Sequence, residues 1–288
     1  MQIFAGSASQ KLGKNIALLG KVRLEKFQNG ESRVQILEEK VDVEVALLQS
    51  LSDPTNDRLV EFCLLADALR RKGAKEIVGI VPWLGYSKQD KVFLPGEALG
   101  AKVIAKILQT AGITKLITFD LHNRAILGFF DIPVMELSAK PLFLEYLQQN
   151  ISANVAVVAP DEGAVKSSGY FARELGVPIV YMDKRRDLVT GEVMVVGMSG
   201  DVTGKEIVIV DDMIVTGSTI IETAKYLKTK GAKKVSVCAT HHLFVPGAQE
   251  KLEESEIDEV VISDSVEGTE TDKLKVLSVA KMIAENLT

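Results

Sequence analysis

Two adjacent acids at the end of an apolar run are the first residues whose types and spacing can do chemistry. In Glu206-Ile-Val-Ile-Val-Asp-Asp-Met-Ile-Val-Thr-Gly-Ser-Thr219, a β-branched run ends on Asp211 and Asp212, and a small polar turn follows. Ligands of open α/β sheets bind at the carboxyl ends of the strands. The turn offers Thr216, Gly217, Ser218 and Thr219 where a helical pattern starts, so its backbone N–H groups and hydroxyls suit a phosphate. The two carboxylates beside it suit ribose hydroxyls or a metal ion. Read by itself the turn is a helix start capped by Ser or Thr, but paired acids at a buried strand end are costly without something to hold. A second group is His122, two residues after Asp120 at a strand mouth, with Asp161 closing Val155-Ala-Val-Val-Ala-Pro-Asp161. Such residues can share one Mg2+ with waters and phosphate oxygens, because magnesium takes only one or two protein ligands. Asp120 and Asp131 are further metal candidates. A third group is basic: Lys184 and Arg186, in Asp-Lys-Arg-Arg-Asp-Leu-Val-Thr-Gly191, read as a polar loop after a strand.

These residues need elements to position them, and the apolar periodicity supplies a regular alternation. Val43–Leu48 reads as a buried strand, and 59–72 as a helix with apolar residues at Leu59, Phe62, Cys63, Ala66 and Leu69, closed by Gly73. Strands follow at 76–82 and 115–120, with a helix at 97–109 between them, closed by Gly112. The second half repeats the rhythm: strands at 155–159, 179–182, 207–210 and 235–240, with helices ending near Leu175 and spanning 218–230. Strands alternating with helices of this length predict parallel sheets covered on both faces. An internal echo supports two copies of one design. Ala68-Leu-Arg-Arg-Lys-Gly-Ala-Lys-Glu-Ile-Val78 matches Tyr226-Leu-Lys-Thr-Lys-Gly-Ala-Lys-Lys-Val-Ser236, with Gly73 and Gly231 at an offset of 158 residues. The expected fold class is therefore α/β, two tandem domains, each a mostly parallel sheet flanked by helices. The boundaries are 1–140 and 141–272, with a C-terminal helix over 273–288 that can pack back on the first domain. No low-complexity linker separates the two, which predicts a rigid body with a cleft.

Composition removes several function classes. The chain has 288 residues, 47% of them hydrophobic, which excludes a disordered chain. Its net charge of −5 argues against bulk nucleic-acid binding. No apolar run approaches the ~20 residues of a membrane span, and the first residues do not form a secretory signal. Two cysteines, Cys63 and Cys238, make no disulfide framework and fit a reducing cytoplasm. No Gly-x4-Gly-Lys-Ser/Thr motif occurs, so any ATP site is not of the P-loop kind, and no Gly-x-Gly-x-x-Gly follows a strand.

The Asp-Asp turn resembles the phosphoribosyl-diphosphate loop of the type I phosphoribosyltransferases. Further collinear segments narrow the resemblance: Phe27-Gln-Asn-Gly-Glu31, Ser52-Asp-Pro-Thr-Asn-Asp57, Pro82-Trp-Leu-Gly-Tyr-Ser-Lys-Gln-Asp90, Asp120-Leu-His-Asn123, Gly128-Phe-Phe-Asp-Ile-Pro133 and Asp183-Lys-Arg-Arg186. Their order and wording, from about Ile3 to Ala284, are similar to the ribose-phosphate pyrophosphokinase family, and the short length looks most like its archaeal members. The resemblance implies two phosphoribosyltransferase-like domains and a reaction. The anomeric hydroxyl of ribose 5-phosphate attacks the β-phosphorus of ATP, the diphosphoryl group is transferred, and AMP leaves, with Mg2+ present. It implies magnesium at His122 and Asp161, a catalytic Lys184, and a substrate-contacting Arg186 on a loop that closes over the diphosphoryl group. It implies ribose 5-phosphate at Asp211, Asp212, Val215, Thr216, Gly217, Ser218 and Thr219. It places ATP at Phe27, which stacks on adenine, at Asn29, Gly30 and Glu31, and at Lys88 and Gln89. It also implies a homo-oligomer.

Departures from the family pattern bear on single contacts. Val215 stands where many synthetases carry Asp, and a valine accepts nothing from a ribose hydroxyl. Lys88 keeps the charge of the family's Arg but not its bidentate fork. Ala125 stands where a Gln is common, and Glu162-Gly163-Ala164 where Gly-Gly is common. Two rivals remain: a phosphoribosyltransferase that consumes phosphoribosyl diphosphate, and an inactive regulatory subunit. The ATP-side segments speak against the first, and the retained His122, Asp161, Lys184 and Arg186 against the second.

Overall fold

The chain forms two α/β units in a computed structural model that describes residues 1–186 and 193–287; the side chains of residues 184–186 and 193–196 lie outside that description. Unit 1 comprises Met1–Ser138, Asp264–Glu267 and the chain from Ser278 onward, and unit 2 comprises Ala139–Ser263 and Gly268–Leu277.

Unit 1 is built on five parallel strands in the order β1 (Gln2–Ala5), β4 (Glu44–Leu48), β5 (Glu76–Val81), β6 (Lys115–Phe119) and β7 (Val134–Leu137). Helices α1 (Gln10–Ile16), α2 (Thr55–Arg71), α3 (Gly100–Ala111) and α8 (Ala280–Glu285) accompany the sheet. The apolar stripe of α2, Phe62, Leu65, Ala66 and Leu69, meets Ile104, Ala105 and Leu108 of α3 and Leu47, Ile77 and Leu116 of the strands in one core. An antiparallel hairpin, β2 (Val22–Lys26) with β3 (Ser32–Ile36), stands outside the five-stranded sheet.

Unit 2 has seven strands in the order β10 (Val193–Ser199), β9 (Ile179–Arg186), β8 (Val155–Ala159), β11 (Glu206–Ile214), β12 (Lys234–His242), β13 (Glu259–Ser263) and β14 (Leu274–Leu277). Only β9 and β10 pair antiparallel. The helices are α4 (Lys140–Asn150), α5 (Val165–Leu175), α6 (Ser218–Thr229) and α7 (Ala248–Glu254). Every residue of β8 is buried, as expected for a strand covered on both faces.

The echoed segments occupy matching places. α2 ends at Gly73 (φ 111°) and leads into β5, and α6 ends at Gly231 (φ 87°) and leads into β12. A second likeness is a pin after the next strands. The Ser138 hydroxyl donates to Asp120 Oδ1 at 2.7 Å after β6 and β7, and the Ser278 hydroxyl donates to Asp264 Oδ2 at 2.6 Å after β13 and β14.

Three expectations are corrected. The helix over 273–288 is split: Leu274–Leu277 is strand β14, whose ladder partner is β13, and only Ala280–Glu285 is helical. Leu-Lys-Val-Leu fits either period, and the open edge of β13 decides for a strand. Lys184 and Arg186 do not sit in a loop but in the backbone of β9, with Lys184 opposite Val195 and Arg186 opposite Val193 of β10. The strand expected at 207–210 runs on to Ile214, so Asp211 and Asp212 lie within β11 rather than past its end, because the β12 ladder continues to His242.

Candidate active site

The best-formed site residues stand where the sheet of unit 2 changes winding direction. From β8 the chain passes through α5 to β9 on one side, and from β11 through α6 to β12 on the other. The crevice between β8 and β11 is therefore the topological switch point, where open α/β sheets bind ligands. The β8–β11 register pairs Val155 with Glu206 and Val158 with Ile209. The ladder stops there, and Asp161 follows β8 near enough to Asp211 for the two charges to oppose one another. Asp161 is exposed, and its Oδ1 accepts the Ala164 N–H at 3.0 Å, a tie that steadies the carboxyl group.

Beyond β11 the turn from Val215 to Thr219 enters α6. Gly217 caps the helix at φ 75°, a left-handed conformation that favours glycine, and a Cβ there would lie 3.2 Å from Leu252 Cδ2 of α7. The hydroxyls of Thr216 and Ser218 are 3.2 Å apart, and both residues are exposed together with Thr219. Gly217 is buried and Val215 half-buried. The first N–H groups of α6 thus face a rim of three hydroxyl-bearing residues, an arrangement suited to a phosphate dianion. Burial pushes the Asp211 carboxyl up to about 8, and the like charges of Asp212 and Asp161 push the same way. The Asp212 N–H donates to Asp211 Oδ1 at 2.8 Å. Oxygen donors whose negative charges oppose one another suit a hard divalent cation such as Mg2+. Among the described residues no three His, Cys, Asp or Glu side chains form a metal cage, so a magnesium ion would take most of its ligands from water and phosphate.

Behind the turn, the Leu243 N–H donates to Ile214 O at 2.9 Å. The fully buried His242 ring stacks on Phe244 at 4.0 Å, and its Nδ1 accepts the Phe244 N–H at 3.0 Å. Burial lowers the His242 pKa to about 4, so the ring is neutral at pH 7.

The remaining candidates lie in unit 1. Phe27, Asn29, Gly30 and Glu31 form the β2–β3 turn. The Phe27 N–H donates to Glu31 O at 2.8 Å, the Gly30 N–H to Phe27 O at 2.9 Å, and Gly30 has φ 88°. Phe27 is 51% exposed, with the Arg33 guanidinium 5.7 Å from its ring centroid. Lys26 pairs with Asp57 in the first turn of α2 and anchors the hairpin. Lys88 and Gln89 lie exposed between β5 and α3, and the Ala101 N–H donates to Gln89 O at 3.1 Å. His122 is exposed just past β6, after Asp120, which takes a left-handed φ of 32°. Asn123 Nδ2 donates to Asp90 Oδ2 at 2.5 Å and so holds the loop of Lys88 and Gln89 to the loop of His122.

Comparison with known proteins settles the family. Residues 1–112 match the N-terminal domain of ribose phosphate pyrophosphokinase, and residues 170–288 match the phosphoribosyl synthetase-associated domain. The ribose-phosphate pyrophosphokinase of Wolinella succinogenes is 40% identical over 99% of this chain and 94% of its own length. The chain belongs to the ribose-phosphate pyrophosphokinase family. The enzyme of the same name from Campylobacter jejuni is 39% identical over 99% of this chain and 94% of its own. Phosphoribosylpyrophosphate synthetase from Mycobacterium smegmatis superposes with a TM-score of 0.90 at 34% identity, covering 99% of this chain and 97% of that one.

Within this pyrophosphokinase fold, two sets of expected residues are gathered: Asp161 with Asp211–Thr219 in unit 2, and Lys88 and Gln89 with His122 in unit 1. The side chains of Lys184 and Arg186, and the segment 187–192, lie outside the described residues. Sequence reasoning overlooked α7 as the wall behind the Val215–Thr219 turn. Leu252 is far from Gly217 along the chain, and no local pattern links them. The Asp90–Asn123 tie was also overlooked, although both residues stand in the quoted motifs.

Proposed function

We propose that the chain transfers the diphosphoryl group of ATP to the 1-hydroxyl of ribose 5-phosphate, giving 5-phosphoribosyl 1-diphosphate and AMP. Membership of the pyrophosphokinase family over almost the whole chain carries this reading, and the switch-point crevice of unit 2 agrees with it. The Val215–Thr219 turn binds the 5-phosphate at the start of α6. Asp211 and Asp212 accept hydrogen bonds from the ribose hydroxyls and leave the anomeric hydroxyl free to attack. Unit 1 holds ATP through Phe27, Asn29, Gly30 and Glu31 on the hairpin turn and through Lys88 and Gln89. Lys184 and Arg186 place cationic charge on the transferred oxygens, which carry most of the developing charge in phosphoryl transfer. Asp161 and His122 would hold Mg2+, which when bound neutralises phosphate charge. The enzyme works as a homo-oligomer and in the cytosol, where two unpaired thiols persist.

The test is AMP release from ATP and ribose 5-phosphate with Mg2+, followed by chromatography. AMP rising in step with phosphoribosyl diphosphate is the expected result. Folded protein that binds ATP and releases no AMP overturns the proposal in favour of a regulatory subunit.

A further inference from the structure

The two sheets share a strand order but differ at the crevice. In unit 2 the ligand crevice lies between β8 and β11; in unit 1 the strands at the same place in the order are β1 and β4. The helices that follow differ in length. α2 has 17 residues and α6 has 12, and both end at matched glycines. With Gly73 set on Gly231, the five extra residues of α2 lie at its start, where unit 2 has its phosphate turn. The same offset sets Glu61 on Thr219. In unit 1 helix has replaced the turn, and a carboxyl group stands at its last position.

That carboxyl group is held as a bound anion would be. Glu61 is 8% exposed and lies over the loop after β1. Its Oε1 accepts the Ser7 N–H at 2.8 Å and Gln49 Nε2 at 2.7 Å. The Ser7 hydroxyl reaches Oε1 at 2.6 Å and Oε2 at 2.8 Å. Arg58 Nη1 donates to that hydroxyl, and Arg58 Nε is buried with no partner. Gln49 completes the seal, because its Oε1 accepts the Ala8 N–H at 3.0 Å. Gly6 makes room for it: a Cβ there would lie 2.5 Å from Gln49 Cδ. A loop N–H, a hydroxyl and an amide around two oxygens, with a guanidinium behind them, is the donor set of an oxyanion site.

We infer that Glu61 is a built-in oxyanion: it fills, in the first sheet, the position of the phosphate that the second sheet binds, and closes that crevice to ligands. Removing the side chain therefore opens a small-oxyanion site in unit 1. The experiment is thermal unfolding of the full chain as wild type, Glu61→Ala and Glu61→Gln, with formate or with chloride at equal ionic strength. In Glu61→Ala the melting temperature falls by about 5 °C or more, and formate restores at least about half of the loss with a saturable dependence. Formate moves the wild type no more than chloride does. Glu61→Gln keeps the shape but points an amide NH2 at donors; it melts lower and formate does not rescue it, because the place is still filled. Equal formate shifts in wild type and Glu61→Ala overturn the inference. If Glu61→Ala does not fold, Glu61→Gln decides by itself: a lowered melting temperature supports the inference and a wild-type value overturns it.

Discussion

At the scale of single residues, Asp211 and Asp212 are half-buried neighbours whose like charges oppose one another. Burial and the like charge of Asp212 push the Asp211 carboxyl up, so a second bare charge beside the first is disfavoured until a ligand arrives. On the proposed ribose contacts, replacing either Asp with Ala is expected to raise KM for ribose 5-phosphate about 10- to 100-fold, with KM for ATP within about twofold, in steady-state AMP release. On the proposed role of Lys184 in the transition state, Lys184→Ala is expected to lower kcat by about 10³-fold with little change in KM for ribose 5-phosphate. His242 gives a stability prediction. Its folded pKa, about 4, lies below the ordinary histidine value of about 6.5. Between those values the unfolded chain binds a proton that the folded chain refuses, so stability falls as pH falls. From pH 6.5 to 4.5 wild type is expected to lose about 2–3 kcal/mol more than His242→Gln, measured by urea unfolding. The acids were legible because a strand pattern ran straight into them. The burial of His242 was not, since it depends on the stack with Phe244.

At the scale of elements, the turn between β11 and α6 rests on one glycine. Gly217 has φ 75° and faces Leu252 of α7. Gly217→Ala forces a side chain into a left-handed conformation at a cost of about 1–2 kcal/mol. The expected readout is a raised KM for ribose 5-phosphate with KM for ATP unchanged. The long apolar elements α2, α3 and β12 could be read from periodicity, because their buried faces repeat several times. The hairpin β2–β3 and the strands β7 and β14 could not. Each has only four or five residues and takes its conformation from a ladder partner. The same dependence moved Lys184 and Arg186 from a loop into β9, since β10 pairs with them.

At the scale of the molecule, the chain returns to unit 1 twice after leaving it at Ser138. Glu267 Oε1 accepts the N–H groups of Lys11 and Leu12 at 2.6 and 3.0 Å, and α8 packs on α1. Truncation after Leu277 removes the buried Val279, Ala280 and Ile283 and the serine that pins Asp264. A loss of about 3–5 kcal/mol is expected, visible as a lower melting temperature in calorimetry. The tandem design was legible at the Gly73 and Gly231 echo, because each helix must stop at a left-handed residue before its strand. The return of residues 264–267 to unit 1 left no such mark.

The sequence by itself determined the alternation of strands and helices, the duplication, the Asp-Asp turn and the pyrophosphokinase likeness. All of these are local patterns of apolar period, turn chemistry and motif order. Tertiary structure alone decided that Asp161 lies near enough to Asp211 to oppose its charge, that α7 backs the turn, and that Glu61 seals the first sheet. Those depend on register and on contacts between distant segments, which a one-dimensional pattern does not encode.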